Sequence, residues 1–113
     1  MIEEVVPDRI YESESGFLFI VTGLAKHGQD CSYPQVVYTN LEPTKDMPAG
    51  QSWVIAESIF MKRFSELNLE RLGVPNWKNE PSGRILKRRG LVFFRSYKGW
   101  LIHHPLTFDR YCK

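Results

Sequence analysis

The stretch FLFIVT at Phe17–Thr22, which follows Gly16 and is ended by Gly23, decides the fold class of this chain. Aromatic and β-branched residues in a short run between glycines are typical of a buried β-strand. Two further runs of this kind, Gln35–Thr39 and Ser52–Ile55, are separated by segments rich in glycine and proline. The sequence therefore predicts a mainly β fold with short strands.

The C-terminal third contains a predicted hairpin. Leu91–Phe94 and Trp100–Ile102 flank the segment SYKG, in which Gly99 is expected to supply a positive φ. The pattern aromatic-x-Ser-x-x-Gly occurs here from Phe94 and also earlier from Tyr11. We interpret both occurrences as hairpins that use the same turn chemistry, not as a duplication.

Residues 57–72 are compatible with a helix or a strand. Phe60, Phe64 and Leu67 recur at helical spacing, and Gly73 followed by Pro75 is a typical helix end. We predict a short helical turn near Glu57–Phe60 and a helix confined to residues 65–72. The alternative is an edge strand over residues 62–66.

These elements predict one structural domain of 113 residues, mainly β with a minor α+β character. Residues 1–75 are expected to form a small SH3-like barrel with a short helical turn, and the barrel itself covers residues 5–68. Residues 76–113 are expected to form a basic C-terminal extension, a helix and a hairpin, packed on the barrel. Because side chains alternate along a strand, we predict four inward residues, which are Phe19, Val21, Val37 and Trp53. Gly23, directly after the first strand, is predicted to form a bulge.

Residues 9–64 resemble a small uncharacterised domain family of bacteria and phages. The resemblance is carried by the pattern aromatic-x-V-x-G-x-A-x-H from Phe19, then by V-V-Y from Val36 and W-V from Trp53. Its signature positions in this chain are Gly23, His27, Tyr38 and Trp53. The resemblance implies an SH3-like fold and brings no activity with it. The chain departs from the pattern at residues 12–15, which are acidic, and at Ala56-Glu57, where Arg-Pro is usual.

Charge is distributed unevenly along the chain. Residues 1–77 hold six basic and eleven acidic side chains, whereas residues 78–100 hold seven basic and one acidic. The net charges of these segments are −5 and +6, although the whole chain has a formal charge of only +2. The basic segment could therefore be an internal partner of the acidic one.

The basic segment is also rich in aromatic residues, and this combination points to nucleic acid. Cations neutralise phosphates, and flat rings stack on the bases of single strands. The predicted contact residues are Arg84, Lys87, Arg88, Arg89, Arg95, Tyr97, Lys98 and Trp100. The sequence thus predicts a non-enzymatic binding module that contacts nucleic acid. The alternative is a protein–protein interaction module, such as a phage or prophage-type adaptor or an inhibitor of a host partner.

No catalytic residues, cofactor or metal site are predicted. His27 and Cys31 form one loose pair, whereas a zinc site usually needs two close pairs. A hydrogen bond that fixes the loop is the simpler role for His27, and Cys31 and Cys112 are expected to be free thiols. No membrane contact is predicted, and the acidic N-terminus lacks the features of a signal peptide. We therefore expect a cytoplasmic protein.

Overall fold

The structure is a computed structural model that describes residues 2–104 and the backbone of residues 111–112. It is mainly β, with two antiparallel sheets and, within the described residues, one α-helix. The chain divides into two compact units, Met1–Leu67 and Asn68–Lys113, which we call unit 1 and unit 2. The packing of residues 1–75 and 76–113 as one structural domain stays a prediction. No helix among the described residues has the length and apolar character needed to cross a membrane.

Unit 1 is a five-stranded antiparallel sheet with one short helix. Along the chain the elements are β1 (Ile10–Ser13), β2 (Leu18–Lys26), β3 (Pro34–Asn40), β4 (Ser52–Ala56), α1 (Glu57–Arg63) and β5 (Phe64–Glu66). The strand order in the sheet is β4-β3-β2-β1-β5. The first four strands therefore form a meander, and after α1 the chain returns to pair β5 with β1.

The three strands predicted in the N-terminal half are confirmed as β2, β3 and β4. The predicted bulge at Gly23 is also confirmed, because Val21 pairs with Tyr38 and Gly23 with Val37, which leaves Thr22 as an extra residue. Such a bulge bends a strand and increases its twist.

The outcome for residues 57–72 favours the alternative that the sequence left open. The helix extends over Glu57–Arg63, Phe64–Glu66 is an edge strand, and the helix predicted for residues 65–72 is wrong. Phe60 and Phe64 do lie together, with ring centroids 4.1 Å apart, but the backbone at Phe64 is already extended. Pairing with β1 gives the backbone of this segment its hydrogen bonds, and a local pattern cannot reveal that long-range pairing.

The core of unit 1 confirms Phe19 and Val21 as inward residues and corrects Val37. Val36 and Tyr38 are the buried apolar residues of β3, whereas Val37 lies on the opposite face. Successive side chains alternate between faces, so only one of two adjacent valines can enter the core. The two valines are the same residue type, so the sequence pattern has no signal that distinguishes the inward one from the outward one.

Trp53 lies opposite Tyr38 and packs against the core from a half-buried position. Its indole Nε1 donates a hydrogen bond to Oδ1 of the buried Asn40 over 3.3 Å. The amide Nδ2 of Asn40 donates to the carbonyl oxygens of Glu42 and Pro48 at 2.9 and 2.8 Å. Asn40 therefore connects β4 to the loop that precedes it.

Unit 2 contains a second antiparallel sheet. Its strands are β6 (Ile85–Arg88), β7 (Leu91–Ser96), β8 (Gly99–His103) and β9 (Tyr111–Cys112), in that order across the sheet. The helix predicted for the C-terminal extension is wrong, since only a 3-10 turn at Trp77–Asn79 precedes the sheet in the described part of unit 2. Proline and glycine on both sides of this turn leave too few residues for a longer helix.

The β7–β8 hairpin is confirmed, whereas the two hairpins share only part of the predicted turn chemistry. Gly16 and Gly99 have φ values of +92° and +136°. The hydroxyl of Ser13 accepts a hydrogen bond from the Phe17 amide, and the hydroxyl of Ser96 accepts one from the Lys98 amide, both over 3.2 Å. Both turns thus use a positive-φ glycine and a serine hydroxyl acceptor, but the amide that donates is four residues after Ser13 in the first turn and two residues after Ser96 in the second.

Candidate nucleic-acid interface

The strands of unit 2 separate the predicted contact residues into two faces. Ile85, Phe94 and Leu101 lie side by side in register on β6, β7 and β8. Because side chains alternate along a strand, the residues next to these three point to the opposite side of the sheet. We call the side that carries Phe94 the outer face and the opposite side the inner face.

The inner face is the core of unit 2. Its buried apolar side chains are Leu86, Leu91, Phe93, Trp100 and Ile102. The ring of Trp100 is 1% exposed, and its Nε1 donates a hydrogen bond to the Pro75 carbonyl over 3.0 Å. Trp100 therefore stabilises unit 2 and has no free face on which a base could stack.

Arg95 also lies on the inner face. Its Nε donates a hydrogen bond to the Trp77 carbonyl, and its guanidinium carbon is 4.8 Å from the centroid of the Trp77 ring. Its Nη1 atom is buried and has no hydrogen-bond partner among the described residues. Burial places the Arg95 charge beneath the surface, so direct contact by Arg95 and Trp100 is corrected to a structural role for both.

The outer face is apolar along its centre. Ile85 and Phe94 are 57% and 43% exposed, and Val92 and Leu101 are half-buried beside them. Val92, Phe94, Leu101 and His103 line a shallow depression of about 390 Å³. Lys87 shares this face, because it pairs with Val92 two residues beyond Ile85. The sequence prediction did not include Ile85, Phe94 or Leu101 among the contact residues.

Two tight turns place further cations at opposite ends of the sheet. Tyr97 and Lys98 form the tip of the β7–β8 hairpin, where the Tyr97 ring is 79% exposed and the Lys98 Nζ lies 5.6 Å from its centroid. Arg89 and Gly90 form the β6–β7 turn with φ values of +49° and +78°. Cations therefore stand beyond both ends of the apolar centre.

Arg84 and Arg88 are tied to neighbouring groups. Arg84 lies 3.4 Å from a carboxylate oxygen of Glu80, in a pair that is open to solvent on the arginine side. The Arg88 Nη1 donates a hydrogen bond to the Lys87 carbonyl over 2.8 Å, and the side chain is half-buried. Exposed pairs of the first kind contribute little free energy, so Arg84 can exchange its partner at small cost.

The charge of unit 2 agrees with an anion-binding surface. Residues 68–104 hold eight basic side chains and only two acidic ones, for a net charge of +6, whereas residues 1–67 have a net charge of −5. The two units therefore differ in the sign of their charge as well as in the sheet to which they belong.

The four signature positions lie in unit 1, and the contacts of each are structural. Gly23 forms the bulge, Tyr38 is in the core, and Trp53 binds Asn40. The Nδ1 atom of His27 accepts hydrogen bonds from the amides of Gln29 and Asp30, both over 3.2 Å. The loop-fixing role expected for His27 is thus confirmed.

Neither the shifted pKa values nor the potential metal ligands of the described residues indicate a second functional site. Burial raises the pKa of the Tyr38 phenol, and hydrogen bonds from Ser32 lower the pKa of Asp30 in the β2–β3 loop. Cys31 is an exposed free thiol, as expected, and the side chain of Cys112 lies outside the described residues. No group of three or more potential metal ligands is found in the part of the chain that the structure describes.

Compared with known proteins, the chain matches no protein-family model, and no curated protein or solved structure is similar enough to support an inference.

Proposed function

We propose that this chain is a non-enzymatic binding module that contacts nucleic acid through unit 2. The observation that carries the proposal is the combination of an exposed apolar sheet face with cations beside it and beyond both of its ends. Lys87, Arg89 and Lys98 are the central cations, and Arg84 and Arg88 supply further positive charge near them. Arg95 and Trp100 support this surface from beneath.

Electrostatics favours phosphate as the ligand of these cations. A polyanion that contacts several cations releases its condensed counterions, and this release drives binding at low salt. The affinity must therefore fall as the salt concentration rises. On a single strand, the expected fall is roughly 0.7 log units per tenfold increase in salt for each phosphate contacted.

A salt titration with matched charge-reversal variants tests the proposal. Binding of the full chain to a labelled 20-nucleotide strand would be followed by fluorescence anisotropy at several salt concentrations. Lys87→Glu combined with Lys98→Glu should weaken binding and reduce the salt slope, because both lysines are exposed in unit 2. Lys45→Glu combined with Lys62→Glu changes the net charge equally in unit 1 and should have a much smaller effect. Equal losses in both variants, or no binding at low salt, would contradict the proposal.

A protein partner is the second candidate, and one observation favours it. Strand β4 lies at the edge of the first sheet, and its Val54 side chain is 64% exposed. Exposed edge strands can accept an extended segment of another chain. An adaptor or inhibitor of a host protein could use this edge. Recovery of one defined partner after nuclease treatment, lost on Val54→Lys, would support this candidate over nucleic acid.

For unit 1 we propose the finer assignment to an SH3-like small barrel. The supporting observation is the topology, since a four-strand meander, a short helix and a fifth strand returning to the first is the arrangement of such barrels. Membership of the bacterial and phage family that residues 9–64 resemble, and a cytoplasmic location, are proposed with it. An experimental structure in which the five-stranded sheet is flat, without the bend at the Gly23 bulge that would curve it round the core, would contradict the barrel.

A further inference from the structure

We infer that the outer face of the unit 2 sheet binds single-stranded rather than duplex nucleic acid, with Phe94 as the ring on which a base stacks. This inference rests on the proposed function and specifies its substrate class. Three features of the face lead to it: its apolar centre, the fixed position of Phe94 and the placement of the cations.

The apolar centre needs a ligand with apolar surface. Ile85, Phe94 and Leu101 are adjacent across three strands, and neighbouring strands lie about 4.7–4.9 Å apart. The row therefore spans about 10 Å, enough for one base and part of a second. A duplex keeps the faces of its bases stacked inside the helix, so it would present mainly sugars and phosphates to this row. A single strand can turn its base faces outward and cover the row.

Phe94 is held in place before any ligand arrives. Strand β7 is hydrogen-bonded to β6 on one side and to β8 on the other, so its backbone is fixed along its length. The neighbours of Phe94 in the chain, Phe93 and Arg95, are buried on the inner face. Because the backbone that carries the ring is already ordered, stacking a base on the ring costs little backbone entropy.

The cations lie where a strand that crosses Phe94 would carry its phosphates. Lys87 lies on the same face, two residues along β6 from Ile85, and Lys98 lies at the tip of the β7–β8 hairpin, on the other side of the row along the strand direction. Tyr97, next to Lys98, exposes a second ring. Charge complementarity thus selects an anionic ligand, while the aromatic rings select one with exposed planar groups.

Three oligonucleotides, compared at equal total concentrations of phosphate, test the inference on the full chain. They are a 20-nucleotide oligothymidine, an abasic deoxyribose-phosphate strand of the same length and a duplex of 20 base pairs. We expect oligothymidine to bind most tightly. Phe94→Ala should weaken its binding about 5- to 150-fold, the value of one lost stacking contact, and leave the salt slope unchanged. The same substitution should leave binding of the abasic strand and the duplex nearly unchanged.

Control variants distinguish a loss of base stacking from a loss of apolar area or of folding. Phe94→Leu keeps apolar area without the ring and should recover only part of the lost affinity. Val54→Ala removes a comparably exposed apolar side chain from unit 1 and should have no effect. Thermal unfolding of each variant confirms that it is folded, which is expected because Phe94 is exposed.

The outcomes distinguish this inference from the function on which it rests. If Phe94→Ala left oligothymidine binding intact while the lysine variants weakened it, the inference would fail and the proposed function would stand. Equal loss for all three oligonucleotides would also overturn it, since that result indicates a structural role. If none bound at low salt, both would fail. Tight binding of polyglutamate that competes equally with oligothymidine would indicate an acidic protein partner and overturn the inference.

Discussion

Arg89 holds a backbone conformation that side chains with a Cβ rarely adopt. With φ values of +49° at Arg89 and +78° at Gly90, the β6–β7 connection is a two-residue turn of the type that favours Asn-Gly. Asparagine tolerates the left-handed region better than arginine. We therefore expect Arg89→Asn to raise the free energy of unfolding by about 0.5–1 kcal/mol, measured by urea denaturation.

The control for this prediction is Arg89→Ala. It removes the same charged side chain but keeps a residue that disfavours positive φ, so it should be no more stable than the parent chain. If the asparagine and alanine variants had equal stability, the backbone of Arg89 would not be the source of the effect.

Tyr38 gives a prediction about alkaline pH. Burial raises the pKa of its phenol above the ordinary value of 10.0. The unfolded chain therefore ionises Tyr38 at lower pH than the folded chain, so the contribution to stability is full below pH 10 and is lost as pH rises above it. In urea denaturation between pH 8 and 11, Tyr38→Phe should reduce the alkaline loss of stability. An unchanged pH dependence in this variant would contradict the role of Tyr38.

At the scale of elements, Asn40 is the side chain that joins the β3–β4 loop to the sheet. Asn40→Ala leaves the carbonyls of Glu42 and Pro48 and the indole N–H of Trp53 without their partner. Each buried polar group left unpaired costs about 1–3 kcal/mol, and we expect a total loss of about 2–4 kcal/mol because water can reach part of the loop. Urea denaturation measures the loss, and hydrogen exchange should show faster opening of residues 41–51.

Two further substitutions are controls for the Asn40→Ala prediction. Trp53→Phe removes one of the three hydrogen bonds and should cost less than Asn40→Ala. Thr39→Ala changes the preceding residue of β3, which is not buried, and should stay within about 0.5 kcal/mol of the parent chain. A loss as large for Thr39→Ala as for Asn40→Ala would mean that the strand, not the amide, is responsible.

The strands of this protein were predictable because their signals are local. Aromatic and β-branched runs between glycines and prolines correctly located β2, β3, β4, β7 and β8. The region after β4 was not predictable in the same way. Phe60 and Phe64 are spaced as on a helix and do stack, yet the helix ends between them and β5 pairs with β1 about fifty residues away in the sequence. Only the tertiary pairing decides that boundary.

The candidate site was predictable in composition but not in orientation. The sequence shows that cations and rings alternate between residues 84 and 100, and it cannot show which face of the sheet is buried. Trp100 was the natural choice for stacking because tryptophan offers the largest ring, but a large apolar ring is also the best core residue. Once Trp100 is known to be inside, alternation and register place Phe94 outside.

At the scale of the whole molecule, the two units have opposite charges and different surfaces. Unit 1 is acidic and has a core that includes Phe60, whereas unit 2 is basic and exposes Ile85 and Phe94 side by side on one face of its sheet. The binding surface that we propose on unit 2 would give the concentration of positive charge in residues 78–100 a role.

This assignment predicts where a ligand would stabilise the protein. A strand that binds only the folded state raises its stability by about 2.7 kcal/mol when its free concentration is one hundred times the dissociation constant. We expect oligothymidine to raise the midpoint of thermal unfolding at low salt, and the shift should disappear at high salt because the contacts are with phosphates. The variant carrying Lys87→Glu and Lys98→Glu should show a smaller shift at the same concentrations.

Hydrogen exchange shows which strands the oligonucleotide protects. Oligothymidine should slow exchange in β6, β7 and β8, the strands whose outer face the ligand covers, and should leave β2 and β3 of unit 1 much less affected. Inorganic phosphate at the same total phosphate concentration is the control, since isolated anions lack both bases and linked charges and should protect neither unit. Protection confined to unit 1 would show that the oligonucleotide binds elsewhere, and the basic segment would then be better explained as an internal partner of the acidic residues.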